Sequence, residues 1–207
     1  MNTLELAAHG PVIPVIVIDR LEDAVPLAEA LVAGGVRVLE VTLRTPVALQ
    51  CMEAIAKAVP DAIVGAGTVR TALDAKAVRD AGCHFAVSPG YTPEIGRVCQ
   101  ELGLPLLPGV ATGSEVMTAN ADGYHFLKFF PATAAGGIPM LKAFAGPFAD
   151  VSFCPTGGIT PETAGQFLAL PNVKVCGGSW LTPAEAVKAR DWATITRLAR
   201  EASALRG

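Results

Sequence analysis

The sequence predicts one α/β domain over residues 1–207, with a parallel sheet closed into a (β/α)8 barrel. Three observations predict it. A chain of 207 residues is long enough for one domain or at most two. Hydrophobic residues make up 51% and charged residues 17%, which suits a sheet buried on both faces. Short β-branched runs alternate with longer stretches of helical spacing, as in repeated βα units.

The predicted strands recur at about 25 residues per unit, which places the chain near the lower end of the TIM-barrel size range. In chain order they cover residues 12–18, 36–42, 62–66, 84–88, 105–107, 125–129, 151–154 and 173–176. A doubly wound open sheet is the competing arrangement. The number of units and the lack of a dinucleotide-binding glycine fingerprint favour the barrel.

The helices between the strands carry a recurrent start signal, a threonine followed by a proline. Threonine can cap the free N–H groups of a helix, and proline is well suited to the first helical position. The signal predicts helix starts at Thr45, Thr92, Thr160 and Thr182.

Composition also restricts the function. The net charge is −3 with no basic cluster, which argues against a nucleic-acid partner. No apolar run reaches the roughly 18 residues of a membrane span, and no signal peptide is recognisable, so we expect a cytoplasmic protein without a membrane partner. The five cysteines are widely spaced and are predicted to be small buried residues. No set of side chains has metal-ligand spacing, so no metal is expected.

One lysine stands in an apolar run at the end of the sixth predicted strand. Lys128 is the only charged residue of FLKFFP, residues 126–131. Active sites of such barrels lie at the C-terminal ends of the strands. The side chain either reaches out to solvent or is held in a low-dielectric site, which favours the neutral, nucleophilic amine. This segment alone leaves both interpretations open.

A carboxylate occupies the middle of the second predicted strand. Alternation puts Glu40 on one face of that strand with Val38 and Thr42. A carboxylate in such a position is rarely buried without a partner. It either forms a structural ion pair with Arg37 or Arg44, or acts as a general acid/base close to the lysine.

Glycine pairs follow the last two predicted strands, in PTGGI (residues 155–159) and CGGSW (residues 176–180). Loops at these places in a barrel often bind phosphate, because glycine lets backbone N–H groups approach an oxyanion. A lone glycine pair is usually a turn, but two pairs at these positions favour a phosphate site.

Taken together, these segments closely resemble the family of 2-keto-3-deoxy-6-phosphogluconate (KDPG) aldolases, which includes 4-hydroxy-2-oxoglutarate (KHG) aldolases. The similarity runs over nearly the whole chain, and no motif position departs from the family pattern. The matching segments are residues 39–45 (LEVTLRT), 65–69 (GAGTV), 88–90 (SPG), 107–110 (LPGV), 127–132 (LKFFPA), 155–159 (PTGGI) and 177–180 (GGSW).

The resemblance implies a homotrimeric class I aldolase of the Entner-Doudoroff pathway that needs no cofactor. It would reversibly cleave 2-dehydro-3-deoxy-6-phosphogluconate to pyruvate and glyceraldehyde 3-phosphate, with 4-hydroxy-2-oxoglutarate as a side substrate. Lys128 matches the Schiff-base lysine and Glu40 the acid/base. The positions that match substrate-binding residues are Arg44 and Thr68 for the pyruvate carboxylate, Thr156, Gly157, Gly158, Gly178 and Ser179 for the phosphate, and Pro89 and Phe130 for the pocket wall.

Three alternatives stay open. The substrate could be the phosphogalactonate analogue, because the sequence does not reveal the preferred configuration at C4. The protein could be a phosphate-binding isomerase or synthase that uses the glycine loops and forms no imine. It could also be a non-catalytic barrel in which Lys128 and Glu40 merely pair.

Overall fold

Parallel strands and helices alternate along the chain, as βα connections require. The structure, a computed structural model, describes residues 2–205. The strands are β1 (Val12–Ile16), β2 (Val38–Thr42), β3 (Ile63–Gly67), β4 (Phe85–Val87), β5 (Leu106–Leu107), β6 (Gly109–Val110), β7 (Phe126–Phe129), β8 (Ser152–Pro155) and β9 (Cys176–Gly178). The helices are α1 (Thr3–Leu6), α2 (Ala24–Ala33), α3 (Ala48–Ala58), α4 (Ala72–Asp80), α5 (Pro93–Glu101), α6 (Gly113–Ala121), α7 (Gly137–Phe144), α8 (Pro161–Leu168), α9 (Ala184–Lys188) and α10 (Trp192–Ser203).

The strands close on themselves. Six pair in the order β5-β4-β3-β2-β1-β9, and three more pair in the order β6-β7-β8. Strands β5 and β6 are two parts of one path interrupted at Pro108, which has no N–H to donate. A parallel bridge between Thr156 and Gly177 joins the β8 side to β9. The predicted (β/α)8 barrel is therefore confirmed.

The first seven predicted strands have ends within two residues of the observed ones, but the predicted start of the last strand was wrong. Strand β9 begins at Cys176, and its Gly177 and Gly178 had been expected in a loop. Pairing with β1 decides this, because Cys176 and Gly178 lie opposite Val12 and Pro14.

Two of the four predicted helix starts are correct. Thr92 and Thr160 cap α5 and α8, each with a proline at the start of the helix. The other two predictions were wrong. Thr45 donates its hydroxyl proton to the carbonyl oxygen of Ile18 at 2.7 Å, and α3 begins only at Ala48. The N-cap of α9 is Pro183, without a side-chain cap.

Side chains fill the inside of the barrel below its C-terminal mouth. The buried interior cluster consists of Leu6, Ile13, Val38, Phe85, Val87, Leu107, Phe126, Cys154 and Val175. Two larger apolar clusters lie outside it, between strands and helices. All five cysteines are buried, as predicted. Within residues 2–205, none of the helices could cross a membrane, and no three His, Cys, Asp or Glu side chains are grouped so that they could hold a metal ion.

Candidate active site

Lys128 and Glu40 meet inside the barrel mouth. The amine of Lys128, on β7, donates a hydrogen bond of 3.1 Å to Oε1 of Glu40, on β2. These strands lie on opposite sides of the barrel, four positions apart in its strand order. Only 6% of the lysine side chain and 4% of the glutamate side chain are exposed, so the pair is nearly dry.

Strand alternation explains why both side chains point inward. On β7, Phe126 belongs to the interior cluster, whereas Leu127 and Phe129 belong to an outer cluster. Lys128 therefore faces inward with Phe126. On β2, Val38 belongs to the interior cluster, so Glu40 faces the same way, as the sequence predicted.

The partner of Glu40 is not one of the two arginines near it in sequence. Arg37 donates to the backbone carbonyl of Asp61 at 2.9 Å, outside the barrel. Arg44 donates through Nε to the hydroxyl of Thr68 at 3.2 Å. The interpretation of Glu40 as the structural partner of Arg37 or Arg44 was therefore wrong.

Cys154 is a second nucleophilic side chain beside this pair, since it lies opposite Lys128 in the β7–β8 register. Burial raises the pKa of its thiol to about 12, an effect that the nearby Lys128 charge opposes. The thiol is therefore protonated at neutral pH, and a protonated thiol is a poor nucleophile. Of these two groups, the amine of Lys128 is the better candidate for attack on a carbonyl.

A cavity of about 120 Å³ opens at the mouth of the barrel beside Lys128. It brings together most of the predicted site residues, namely Arg44, Lys128, Phe130, Thr156, Gly157, Gly158, Gly178 and Ser179. The Lys128 amine lies 5.4 Å from the centre of the Phe130 ring. The cavity thus brings a nucleophile, a guanidinium group and a glycine-rich loop together around one space.

The loop after β8 depends on glycine for its backbone path. Gly157 and Gly158 have φ values of 103° and 75°, which residues with a Cβ rarely adopt. Gly158 also packs closely on Thr133, whose hydroxyl oxygen would lie 2.7 Å from an added Cβ. Without side chains the backbone of this loop is open to the cavity, as an oxyanion site requires.

Three predicted residues do not line the cavity. Glu40 contacts it only through its hydrogen bond to Lys128. Thr68 reaches the site through its hydrogen bond to Arg44, and it adopts a positive φ of 62°. Pro89 is exposed and packs against Gly109 instead of lining the cavity. Sequence reasoning missed Val15, which lines the cavity and lies opposite Glu40 in the β1–β2 register. Val15 could have been predicted as a lining residue from its inward position in the alternation of β1.

A second, larger cavity of about 690 Å³ adjoins the first, with which it shares Val15 and Ser179. Its lining includes Arg20 and Asp23, which form an ion pair of 2.7 Å. Arg190 binds the other oxygen of Asp23 at 2.8 Å. Since the carboxylate of Asp23 is shared between two guanidinium groups, this part of the mouth is held by structural ion pairs.

Comparisons with known proteins agree on one family. The family model described as "Aldolase: KDPG and KHG aldolase" matches residues 4–198. The chain is 51% identical over 204 residues to a 2-dehydro-3-deoxy-phosphogluconate aldolase of Pseudoalteromonas atlantica, covering 99% of this chain and 95% of that one. It is 55% identical over 193 residues to the KHG/KDPG aldolase of Escherichia coli, covering 93% and 91%.

A solved structure is similar over almost the full length. It is the KDPG aldolase of Legionella pneumophila, crystallised with pyruvate captured as a covalent carbinolamine intermediate. The TM-score is 0.96 and the sequence identity 53%, with 98% of each chain covered.

Proposed function

Because the chain belongs to the KDPG and KHG aldolase family, we propose that it is a class I aldolase that reversibly cleaves 2-dehydro-3-deoxy-6-phosphogluconate to pyruvate and glyceraldehyde 3-phosphate. One observation carries the proposal, the buried contact of 3.1 Å between the Lys128 amine and the Glu40 carboxylate. A nucleophile hydrogen-bonded to a base is what covalent catalysis through an imine requires.

Imine formation uses both side chains. Glu40 takes a proton from the Lys128 ammonium group, and the neutral amine attacks the C2 ketone. A proton moves from the nitrogen to the former ketone oxygen, which gives a carbinolamine. Glu40 returns the proton to the carbinolamine hydroxyl, which leaves as water. The product is a protonated imine that can accept an electron pair, so the reaction needs no metal or cofactor for this purpose.

Bond cleavage follows from the same pair. Glu40 removes the proton of the C4 hydroxyl, directly or through a water. The C3–C4 bond breaks, its electrons move into the imine to form an enamine, and glyceraldehyde 3-phosphate leaves. Glu40, now protonated, returns the proton to C3, and hydrolysis of the imine frees pyruvate.

The two ends of the substrate would be bound by two different groups of residues in the cavity. Arg44 and Thr68 would bind the carboxylate, since a guanidinium group can donate two parallel hydrogen bonds. The phosphate would be bound by the glycine-rich wall, formed by Thr156, Gly157, Gly158, Gly178 and Ser179. Holding both ends positions the reacting carbons between Lys128 and Glu40. Phe130 would line the pocket, whereas the pocket role of Pro89 rests on the family resemblance.

Trapping with borohydride tests the nucleophile. Pyruvate and borohydride should leave a covalent, reduced adduct on Lys128, detectable by peptide mass spectrometry. Lys128→Met should abolish the adduct, and Lys142→Met, at an exposed lysine of α7, should retain it. A label on another residue, or none, would reject the proposed role.

Proton exchange tests the base. Glu40→Gln should still be trapped with pyruvate, but exchange of the pyruvate methyl protons with deuterated water should slow by about two orders of magnitude or more. Unchanged exchange would mean that another group is the base.

Substrate choice needs its own experiment. The Escherichia coli relative is named for both KDPG and KHG, which supports 4-hydroxy-2-oxoglutarate as a side substrate here. Steady-state kinetics with the phosphogluconate, phosphogalactonate and oxoglutarate substrates should give the highest kcat/KM for the first. A higher value for phosphogalactonate would make the galactonate alternative correct.

The resemblance also supports a homotrimer in the cytoplasm, built from single-domain subunits that span residues 1–207. Light scattering should give a mass three times the 21.3 kDa of one chain. A monomer mass at micromolar concentration would contradict the trimer.

A further inference from the structure

Strand β3 lies next to β2 in the sheet, and its Gly67 lies against the side chain of Glu40. Gly67 lies opposite Thr42 of β2, two residues along from the pair formed by Gly65 and Glu40. A Cβ on Gly67 would collide with Oε1 of Glu40 and would lie 2.8 Å from its Cγ and 2.9 Å from its Cδ. The carboxylate of Glu40 therefore occupies the space that any side chain at position 67 would need.

The backbone gives no other reason for glycine at this position. Gly67 is not among the glycines with positive φ, so an alanine could adopt its conformation. Glycine is unfavourable inside a strand, where it often marks a close approach of another group. Here the approaching group is the Glu40 side chain, whose Cγ, Cδ and Oε1 are the three nearest atoms to the missing Cβ.

The second interior glycine of β3 has a different neighbour. A Cβ on Gly65 would collide with the ring of Phe85, which belongs to the apolar interior cluster. Gly65 thus makes room for core packing, and Gly67 makes room for the side chain that contacts Lys128. The same residue type fulfils a structural requirement in one layer and a catalytic one in the next.

We propose that Gly67 is a positioning residue of the active site, whose lack of a side chain holds open the volume that the Glu40 carboxylate needs to reach Lys128. The inference rests on the proposed aldolase function. In the folded protein, an alanine at position 67 would displace the carboxylate and leave the Lys128 amine in place. Because reduction by borohydride is irreversible, even slowed imine formation would still accumulate the trapped adduct, whereas every cycle of proton exchange at C3 would need the displaced carboxylate.

Gly67→Ala tests this separation of steps. We expect it to retain trapping of pyruvate by borohydride, while exchange of the pyruvate methyl protons slows by about tenfold to a hundredfold. Gly165→Ala is the matched control, because Gly165 lies in α8 with open space around its Cα. The control should exchange protons at the wild-type rate. Wild-type exchange in folded Gly67→Ala would overturn the inference.

A double variant shows whether Gly67 acts through Glu40. Glu40→Gln/Gly67→Ala should exchange protons no more slowly than Glu40→Gln alone, because the group that Gly67 positions has already lost its function. A further loss as large as that caused by Gly67→Ala in the wild-type background would overturn the inference in favour of an independent role.

A third comparison is informative even if Gly67→Ala does not fold. Glu40→Ala removes the atoms that an alanine at position 67 would meet. Glu40→Ala/Gly67→Ala should therefore melt at the same temperature as Glu40→Ala, or higher. A lower Tm would show that another neighbour demands the glycine and would overturn the inference. Failure of wild-type protein to trap pyruvate would instead overturn the proposed function, and it would leave this thermal comparison valid.

Discussion

Strand β7 presents Phe126 and Lys128 to the inside of the barrel and Leu127 and Phe129 to the helices outside it. Both faces are buried. On the outer face, Phe129 packs edge-to-face on Phe144 and Phe153, with ring centres 6.1 and 6.5 Å away. On the inner face, the ammonium group of Lys128 has its hydrogen bond to Glu40.

On this single strand, the outer face contributes to stability and the inner face carries the function. Removing an aromatic ring from water stabilises the fold by itself. A buried ion pair loses hydration, and its mutual attraction often fails to offset that loss. The inner face therefore retains a charged pair where an apolar pair would give an equally stable or more stable protein. Catalysis is the reason we infer for that choice.

Replacing the whole pair should produce the largest effect on activity. Lys128→Met/Glu40→Leu should lose aldol cleavage by at least about ten thousandfold, because the nucleophile and the base are both gone. Its free energy of unfolding in urea should stay unchanged or rise by about 1–4 kcal/mol, since two desolvated charges are removed together. If the double variant were several kcal/mol less stable, the pair would be a structural element and the comparison would fail.

Truncating an aromatic side chain outside the barrel should have the opposite effect: it should lower the stability of the protein and leave its activity unchanged. Phe153 is fully buried and also stacks on Phe144 at 5.8 Å. Phe153→Ala should lower the free energy of unfolding by about 3–5 kcal/mol, through lost burial and the cavity left behind. At low temperature the folded fraction should keep its kcat and its borohydride adduct. A loss of kcat in folded protein would show that the two faces are coupled.

The glycine-rich wall should respond to charge in a substrate-dependent way. Ser179→Asp should raise KM for phosphorylated substrates by about tenfold or more through like-charge repulsion, with a much smaller effect for 4-hydroxy-2-oxoglutarate. Ser179→Ala is the control that removes the hydroxyl without adding charge. Equal changes of KM for both substrate types would argue against a phosphate site at Ser179.

Alkaline pH should lower the free energy of unfolding by a smaller amount, through thiols that are buried at separate places in the core. Burial raises the pKa of the Cys83 and Cys154 thiols from 9.0 to about 12. Above pH 9 these thiols ionise in the unfolded chain and stay protonated in the native one, so the unfolded state binds fewer protons. The free energy of unfolding should then fall by up to about 1.4 kcal/mol per pH unit for each thiol.

Cys83→Ala isolates the contribution of one thiol, because Cys83 belongs to one of the two outer apolar clusters and not to the site. Urea unfolding between about pH 8 and pH 11 should give a shallower decline for the variant than for the wild type. Identical slopes would show that the thiol does not titrate differently in the two states.

Much of the fold could be predicted because it depends on short stretches of chain. The inward direction of Lys128 follows from the two-residue period of a strand, and the caps at Thr92 and Thr160 depend on residues three or fewer positions away. The start of β9 could not be predicted, since Gly177 and Gly178 have no strand preference of their own. Pairing with β1 makes them a strand.

The sequence by itself determined the alternation of strands and helices, the side chains that face inward, and the family. Only the tertiary structure decided which inward groups meet. Glu40 has two arginines within a few residues, yet its partner is a lysine 88 residues away. The space for its carboxylate comes from a glycine on a third segment, β3. Local patterns set the direction of a side chain, whereas distances across the mouth exist only once eight strands have closed into a barrel.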